Sequence, residues 1–564
     1  MFEQIDKYIL AEMEKMEIPS LSVAIAKDQN IIWSRGYGYS NLEEKTPATD
    51  NTIYRVASMT KPVISTGLLQ WLEKGRFQLD DLVNDHFEKV KIQTEFDEQP
   101  TMRNLLTHTS GLPSHVPPIY YDESEAISLK ELITRYAKVT LPPNRAWVYS
   151  NTAFAIIGYL IGLFASQPYP HYMKENVLEP LDMNASSFES TPSIKKSMAQ
   201  GYERIEPSES IEAVKPYFLG CLPENACGCL YTTVIDYAHF LIAHMNRGVY
   251  KGQRILEEET ISEMHKLQWA AGNSRNGSGL PWARGWHHGH LALSHGGGMP
   301  GWVTQGIMYP DLKLAIVIFS NLSGGPNWRN LFTGAILRML LGEYQPFNPE
   351  TIRVETVPGH WHKLAGTYVS DHGSYQHGKK SEVTIKEGYL ILEMADEEIY
   401  LEELDEARYL IHGGASNGQE LTFEYDEQGR AKQFDLGTSI YPRYVKEELP
   451  IVESADLVGS WHGEYMHFYG PYTIDLEIES ATRATATDMG GRKIPVADFK
   501  VDLGRVIGTL KLTAPREYVG WEAWCGSHVK LKLAAIDDQL KGHMIMERPA
   551  LWKGTMIPFS LSRS

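Results

Sequence analysis

The sequence predicts an α/β domain built on an antiparallel sheet flanked by helices, followed by an all-β, barrel-like C-terminal region. Three observations predict it. Apolar hairpins stand at both ends of the first part of the chain: Leu21-Ser22-Val23-Ala24-Ile25-Ala26 and Ile31-Ile32-Trp33-Ser34 flank a turn at residues 27–30, and residues 303–309 and 314–319 flank Pro310-Asp311. Helical patterns lie between and beside these hairpins. After Gly342 the pattern turns to alternating strands such as Val383-Thr384-Ile385-Lys386 and Tyr389-Leu390-Ile391-Leu392, joined at Glu387-Gly388.

Taken in order, the first element is an amphipathic helix over residues 2–16, and the first hairpin follows it. An extended Tyr54-Arg55-Val56 run then gives way to a helix over residues 63–72. Thr152-Ala153-Phe154-Ala155-Ile156-Ile157 begins a second apolar helix or buried segment, and residues 328–341 form a helix returning across the sheet. Both ends of this domain therefore build one sheet. Gln345-Pro346-Phe347-Asn348-Pro349-Glu350 reads as a linker. Beyond it, Leu364-Ala365-Gly366-Thr367-Tyr368 is echoed by Leu457-Val458-Gly459-Ser460-Trp461, each opening a strand-rich stretch. The expected division is 1–345 for the α/β domain, 346–360 for the linker, and 361–450 and 451–564 for two β-barrel-like domains. The tail reads as a packing or homo-oligomerisation module in preference to a substrate gate.

Composition sets outer limits. The chain has 564 residues, 43% of them hydrophobic and 22% charged, enough for two or three domains with full cores. A formal charge of −18 argues against nucleic acid and anionic membrane as partners, because phosphate binding needs clustered cations. The N-terminal helix lacks the basic start and apolar core of a secretion signal, and no segment is long and apolar enough to span a bilayer, so a cytoplasmic location is expected. Cys221, Cys227 and Cys229 lack paired metal-ligand spacing and read as buried thiols; Cys525 stands alone. Trp286-His287-His288-Gly289-His290 reads as a solvated or substrate-lining segment rather than a metal site, and Tyr120 and Tyr121 after Pro117-Pro118 as a cleft wall or a packed pair.

Chemistry enters at Ser58-Met59-Thr60-Lys61, where strand passes into helix. Serine and lysine three residues apart share one face of a helical turn, so an amine comes within reach of the hydroxyl and, if its pKa is depressed, accepts its proton. The pair alone is weak evidence, being expected about once by chance in such a chain. Ser193-Ile194-Lys195-Lys196 is indeed a second match. Order adds weight: Tyr149-Ser150-Asn151 follows, offering a phenol that relays protons, and then Ser294-His295-Gly296-Gly297-Gly298, where glycines allow a strand edge to approach a substrate and leave an N–H unobstructed. An earlier Tyr39-Ser40-Asn41 precedes the serine and falls out of order.

Ser-x-x-Lys, Tyr-x-Asn and His-x-Gly in this chain order resemble the penicillin-recognising serine hydrolases: class C β-lactamases, D-Ala-D-Ala carboxypeptidases, D-aminopeptidases and related esterases. Gly36-Tyr37-Gly38-Tyr39, Leu105-Leu106-Thr107-His108-Thr109-Ser110-Gly111-Leu112 and Gly228-Cys229-Leu230-Tyr231-Thr232-Thr233 are similar to segments of that family, and the resemblance spans roughly residues 1–345. It implies a β-lactamase-like domain with a helical subdomain and a cleft between subdomain and sheet. It implies further that Ser58 is the nucleophile, that Lys61 and Tyr149 share acid and base work, and that Asn151, His295, Gly297 and Gly298 bind substrate. The N–H groups of Ser58 and Gly298 would form the oxyanion hole. No cofactor or metal is implied. The expected substrate is a small amide or peptide, with a D-configured residue favoured; a carboxylesterase using the same site and a penicillin-binding or sensing protein that does not turn over are the alternatives. The β-lactamases of the family usually carry lysine where His295 stands, and a ring mostly neutral at pH 7 points to a peptidase, amidase or esterase.

Overall fold

The computed structural model describes residues 1–564 except 89, 114–118, 121–127, 206–209, 216–217, 220–225, 271–273, 325–327, 371–379, 395–396, 415, 437–438, 444–456, 468–469, 488–492, 503–504, 513–526, 537–538, 549–555 and 564. Its first part is a nine-stranded antiparallel sheet. In chain order the strands are β1 (Ser20–Lys27), β2 (Asn30–Asn41), β3 (Thr46–Pro47), β4 (Trp269–Ala270), β5 (Gly277–Ser278), β6 (Ala283–His287), β7 (His290–Met299), β8 (Trp302–Tyr309) and β9 (Leu314–Ser320). They lie side by side as β4-β5-β6-β7-β8-β9-β1-β2-β3. β1 pairs with β9 from Leu21↔Ser320 to Lys27↔Leu314, so the two predicted hairpins meet at the sheet's centre.

The run Leu-Ala-Ile-Val-Ile-Phe-Ser of β9 is apolar on both faces because both faces are covered. Leu314, Ile316 and Ile318 pack with Ile5, Ile9 and Met13 of the Phe2–Lys15 helix and with Phe332 and Ile336 of the Arg329–Leu341 helix. Ala315, Val317 and Phe319 face Tyr237 and Leu241 of the Val234–Met245 helix and reach the larger core around Met59 and Val63. Each fully buried branched or aromatic side chain contributes about 1.5–3 kcal/mol. The middle of the sheet is therefore rigid, and the two strands next to it, β8 and β7, inherit that rigidity.

The helices between β3 and β4 form the second layer. The Asn151–Ala165 helix packs against the Thr60–Glu73 helix within the same core. It is strongly apolar, yet it is an interior helix: Phe154, Ile156, Ile157, Leu160 and Ile161 are fully buried. Among the described residues no single helix is long and apolar enough to cross a membrane.

Beyond the linker, eight strands from Gly366–Val369 to Ser439–Pro442 pair in sequence order, and a Tyr368↔Arg443 bridge joins first to last. Nine further strands between Gly459–His467 and Met556–Arg563 form a second antiparallel sheet. The sequence echo between the two has a physical basis. Tyr368 donates to Leu364 O, with the Arg443 guanidinium 5.4 Å from its ring, and Trp461 donates to Leu457 O, with Arg563 5.4 Å from its ring. In each sheet the first strand's aromatic side chain is tied back to the leucine four residues earlier and capped by an arginine at the end of the last strand.

The histidine segment departs from expectation. His288 and Gly289 both have positive φ, forming the tight turn between β6 and β7, and this turn is gripped by the first barrel. His287 bridges Gln419, the His288 N–H donates to Gly418 O at 3.3 Å, and a β-carbon on Gly418 would lie 2.5 Å from His288 Nε2. Arg275 pairs with the buried Glu420 beside it. His290 turns away to Asp311, at 2.7 Å. The His287–His288 part of the segment is therefore a docking point between the sheet and the first barrel, while Gly289 at the tip stays exposed. Burial holds His288 at a pKa of about 3 and His287 at about 4, as suits neutral rings in an interface.

Candidate active site

Ser58 lies in a single 3-10 turn, Ala57–Met59, directly before the Thr60–Glu73 helix. The turn is pinned from several sides. Thr304 of β8 donates to Val56 O at 3.0 Å, Thr60 Oγ1 donates to Ala57 O at 2.7 Å, and Tyr237 Oη donates to Met59 O at 3.0 Å. Leu230 N–H closes the ring of contacts by donating to Thr60 Oγ1. Ser58 itself stays half-buried, at the lip of this support.

Lys61 is fully buried, and its Nζ donates to Ser58 Oγ at 3.0 Å, Asn151 Oδ1 at 2.7 Å and Cys227 O at 2.8 Å. Burial lowers its pKa from 10.5 to about 8. The chemical consequence lies in the partners. Asn151 Oδ1 and Cys227 O are carbonyl oxygens and only accept. When Lys61 is a neutral amine they hold its two protons, and the lone pair points at the one partner able to give a proton, the Ser58 hydroxyl.

Tyr149 is buried beside this amine, its ring centroid 4.8 Å from Lys61 Nζ. Ser150 caps the Asn151–Ala165 helix by accepting from Ala153 N–H, and its hydroxyl donates to Pro113 O, which fixes the Tyr-Ser-Asn corner and so the direction of Asn151. His108 completes the wall. Its ring lies 4.3 Å from that of Tyr149, and its Nδ1 accepts the Ser150 N–H at 3.0 Å.

On the far side stands β7. β6 pairs with it only as far as Ala283↔Ser294, so from His295 onward this edge of β7 has no neighbouring strand among the described residues. The other edge is held by β8 through His295↔Gly306, Gly297↔Thr304 and Gly298↔Val303. Successive residues alternate in facing. A β-carbon on Gly297 would lie 2.1 Å from Val56 O, so this position faces the Ser58 turn and tolerates only glycine. Gly296 and Gly298 face the opposite way, toward Arg329, whose Nη2 donates to Gly297 O at 2.6 Å and whose Nε donates to Thr304 O at 3.1 Å. His295 is 8% exposed, donates through Nδ1 to Gly296 O at 2.8 Å, and is held at a pKa of about 3, first by burial and then by the charge of Lys61.

All seven residues singled out in the sequence thus meet at one place. The two decoys do not: Ser193, Lys195 and Lys196 are exposed on a short separate helix, and Tyr39 lies on β2. Sequence reasoning gave no role to His108, Thr304 and Arg329, which support the site from behind. It also missed the Cys227 carbonyl, which no side-chain pattern reveals. Cys227 is buried and Cys229 lies 3.0 Å from Tyr169 Oη; Cys221, Cys525, Pro117, Pro118 and Tyr121 lie outside the described residues. Among the described residues no group of three His, Cys, Asp or Glu side chains is placed to hold a metal ion.

The fit at Gly297 makes a direct prediction. Gly297→Ala forces β7 away from Val56, at a cost of about 1–3 kcal/mol, and carries the Gly298 N–H with it. We expect a clear fall in Tm and a loss of hydrolytic activity of about tenfold or more. Gly298→Ala places its methyl against only the Arg329 guanidinium, at 3.1 Å, and should leave Tm nearly unchanged. Thermal melts of the two variants side by side check this; equal losses would contradict the close approach.

Comparison with known proteins agrees with this geometry. The β-lactamase family model matches residues 5–336, more than half of the 564-residue chain. Protein flp of Staphylococcus aureus (strain MW2) is 27% identical over 335 residues, covering 57% of this chain, and the chain spans 63% of that relative's length. Beta-lactamase-like protein 2 of Dictyostelium discoideum is 28% identical over 404 residues, covering 66% of this chain and 72% of the relative. Among solved structures, the octameric penicillin-binding protein homologue from Pyrococcus abyssi shares the fold with a TM-score of 0.53 at 22% identity, covering 78% of this chain and 99% of its own. The D-amino acid amidase from Ochrobactrum anthropi SV3 complexed with D-phenylalanine does so with a TM-score of 0.51 at 20% identity, covering 61% and 99%. With the family model laid over the sheet, the helical layer and all three motifs, the chain belongs to the β-lactamase family of penicillin-recognising serine hydrolases.

Proposed function

We propose that this protein is a serine hydrolase that cleaves a small amide or peptide bond, with a D-configured residue favoured, through an acyl-enzyme on Ser58. One observation carries the reading: a buried amine 3.0 Å from Ser58 Oγ whose other two partners are acceptor-only oxygens. In the proposed reaction Ser58 Oγ attacks the substrate carbonyl while its proton passes to Lys61. The N–H groups of Ser58 and Gly298 hold the oxyanion, each such donor being typically worth about a hundred- to a thousandfold in rate. Asn151 orients the substrate amide. Lys61 and Tyr149 return a proton to the departing amine, and water then attacks the ester on Ser58. In this reading the division of the chain is 1–345 for the hydrolase domain, 346–360 for the linker, and 361–450 and 451–564 for two barrel domains serving packing or oligomerisation.

The test is burst kinetics on the full chain with p-nitrophenyl esters, set beside D- and L-aminoacyl nitroanilides. The proposal expects a burst with steady turnover of nitroanilides. Turnover of esters alone would assign a carboxylesterase, and a burst that stalls would assign a penicillin-binding or sensing role.

A further inference from the structure

Two thiols adjoin the oxygen that holds the Lys61 amine. Cys227 and Cys229 are both free, the first buried and the second half-buried, with only Gly228 between them. α-Carbons two residues apart are at most about 7 Å from each other, and the turn over residues 226–228 brings them into the span of about 4.4–6.8 Å that a disulfide bridges. The two sulfurs are close enough to act on each other electrostatically, and the Lys61 charge acts on that of Cys227.

Their surroundings give them different parts. Cys229 Sγ lies 3.0 Å from Tyr169 Oη, and burial pushes its pKa up to about 12, so it stays a thiol. Cys227 has the ammonium of Lys61 as its neighbour, the setting in which a cysteine reacts with peroxide. The chain on either side of the pair is fixed. A β-carbon on Gly158 of the Asn151–Ala165 helix would lie 2.5 Å from the Ala226 β-carbon, Leu230 N–H donates to Thr60 Oγ1 at 3.1 Å, and Leu230 O accepts from Val56 N–H at 3.1 Å. A bond drawn between the sulfurs is therefore absorbed by the peptide units between them. The first of these carries Cys227 O, the acceptor 2.8 Å from Lys61 Nζ.

We propose that Cys227 and Cys229 are an oxidation site, which closes into a disulfide under peroxide, turns Cys227 O away from Lys61 and reversibly disables the Ser58 nucleophile. The Cys227 sulfur attacks hydrogen peroxide, the O–O bond breaks, and a sulfenic acid forms while the second oxygen leaves as water with the thiol's proton. Cys229 sulfur then attacks that of Cys227; the S–S bond forms, the S–O bond breaks, and the hydroxyl leaves with the Cys229 proton as a second water. Two thiols are oxidised and one peroxide is reduced. The modification goes beyond the serine hydrolase reading, and only its effect on turnover rests on that reading.

The experiment exposes the full chain to dilute hydrogen peroxide, quenches with catalase and alkylates the remaining thiols. Mass spectrometry reads the peptide holding both cysteines, and p-nitrophenyl ester turnover is measured before and after dithiothreitol. Wild type, Cys221→Ser and Cys229→Ser are compared, with thermal melts to verify folding. In wild type and Cys221→Ser the peptide should become lighter by two hydrogens with both sulfurs unalkylated, turnover should fall at least about tenfold, and dithiothreitol should restore both. Cys229→Ser should form no cross-link and keep its turnover through the same exposure. No cross-link in wild type, a cross-link that disappears in Cys221→Ser, a cross-link that leaves turnover unchanged, or inactivation of Cys229→Ser as deep as that of wild type would overturn the inference. Should Cys229→Ser fail to fold, the joint recovery of thiols and turnover in Cys221→Ser decides the matter. A wild type with no turnover before peroxide removes the hydrolase reading, while the mass measurement still decides the oxidation site.

Discussion

Ser58→Ala is expected to abolish the burst of p-nitrophenol and the acyl adduct that mass spectrometry on the intact protein should detect in the wild type. The expected loss in turnover is at least about 10⁴-fold, because without the oxygen there is no covalent route and the amine has nothing to activate. The fold should survive. The hydroxyl is half-buried and among the described residues its one side-chain partner is Lys61 Nζ, so its removal costs at most about 1 kcal/mol and barely shifts Tm. Unchanged hydrolysis in this variant would end the mechanism proposed, whereas loss of both activity and fold would show that the serine supports the turn rather than the chemistry.

Lys61→Met gives the second large effect. Methionine keeps the apolar stem of the side chain and removes only the amine, so a folded protein is expected with turnover reduced by about 10²–10⁴-fold, the usual worth of a positioned base. pH separates this from mere damage. The Lys61 pKa is lowered to about 8, so the amine is mostly protonated and inactive at pH 6.5 and mostly neutral above pH 8.5. kcat/KM of the wild type should therefore rise with pH and level off above about 8. The residual rate of Lys61→Met should lack that limb. A limb that persists in the variant would assign it to another group.

Much of the site was legible because its parts announce themselves locally. Ser58 and Lys61 are three residues apart at a strand-to-helix junction, and Tyr149 and Asn151 lead directly into an apolar segment, so neither pair required knowledge of distant contacts. The glycines of β7 read as a strand edge, but which of them was constrained was hidden: Gly297 is forced by Val56, more than two hundred residues earlier, and sequence carries no trace of that approach. The same holds for His295. Its residue type suggested a mostly neutral ring, yet the tautomer is set by a backbone carbonyl that only the folded strand presents. The histidine turn misled for a related reason. A polar, glycine-containing hairpin ordinarily faces water, and here His287 and His288 are engaged by Gln419 and Gly418 of the C-terminal region. The strand-rich character of the C-terminal region was legible from alternation and from the Leu-x-Gly echo, although the arginine caps that explain the echo come from the far end of each sheet.

The pairing of Leu21 with Ser320 at the centre of the main sheet has a consequence for the life of the molecule during synthesis. A nascent chain carries its serine and lysine out of the ribosome long before Leu314–Ser320 exists to receive the first hairpin, and closing so wide a loop is entropically slow. Until then the sheet behind the Ser58 turn lacks a central strand, although the partners of Lys61, Asn151 and Cys227, have already been made. In the proposed mechanism the catalytic corner is therefore complete only when the last strand of the sheet is laid in.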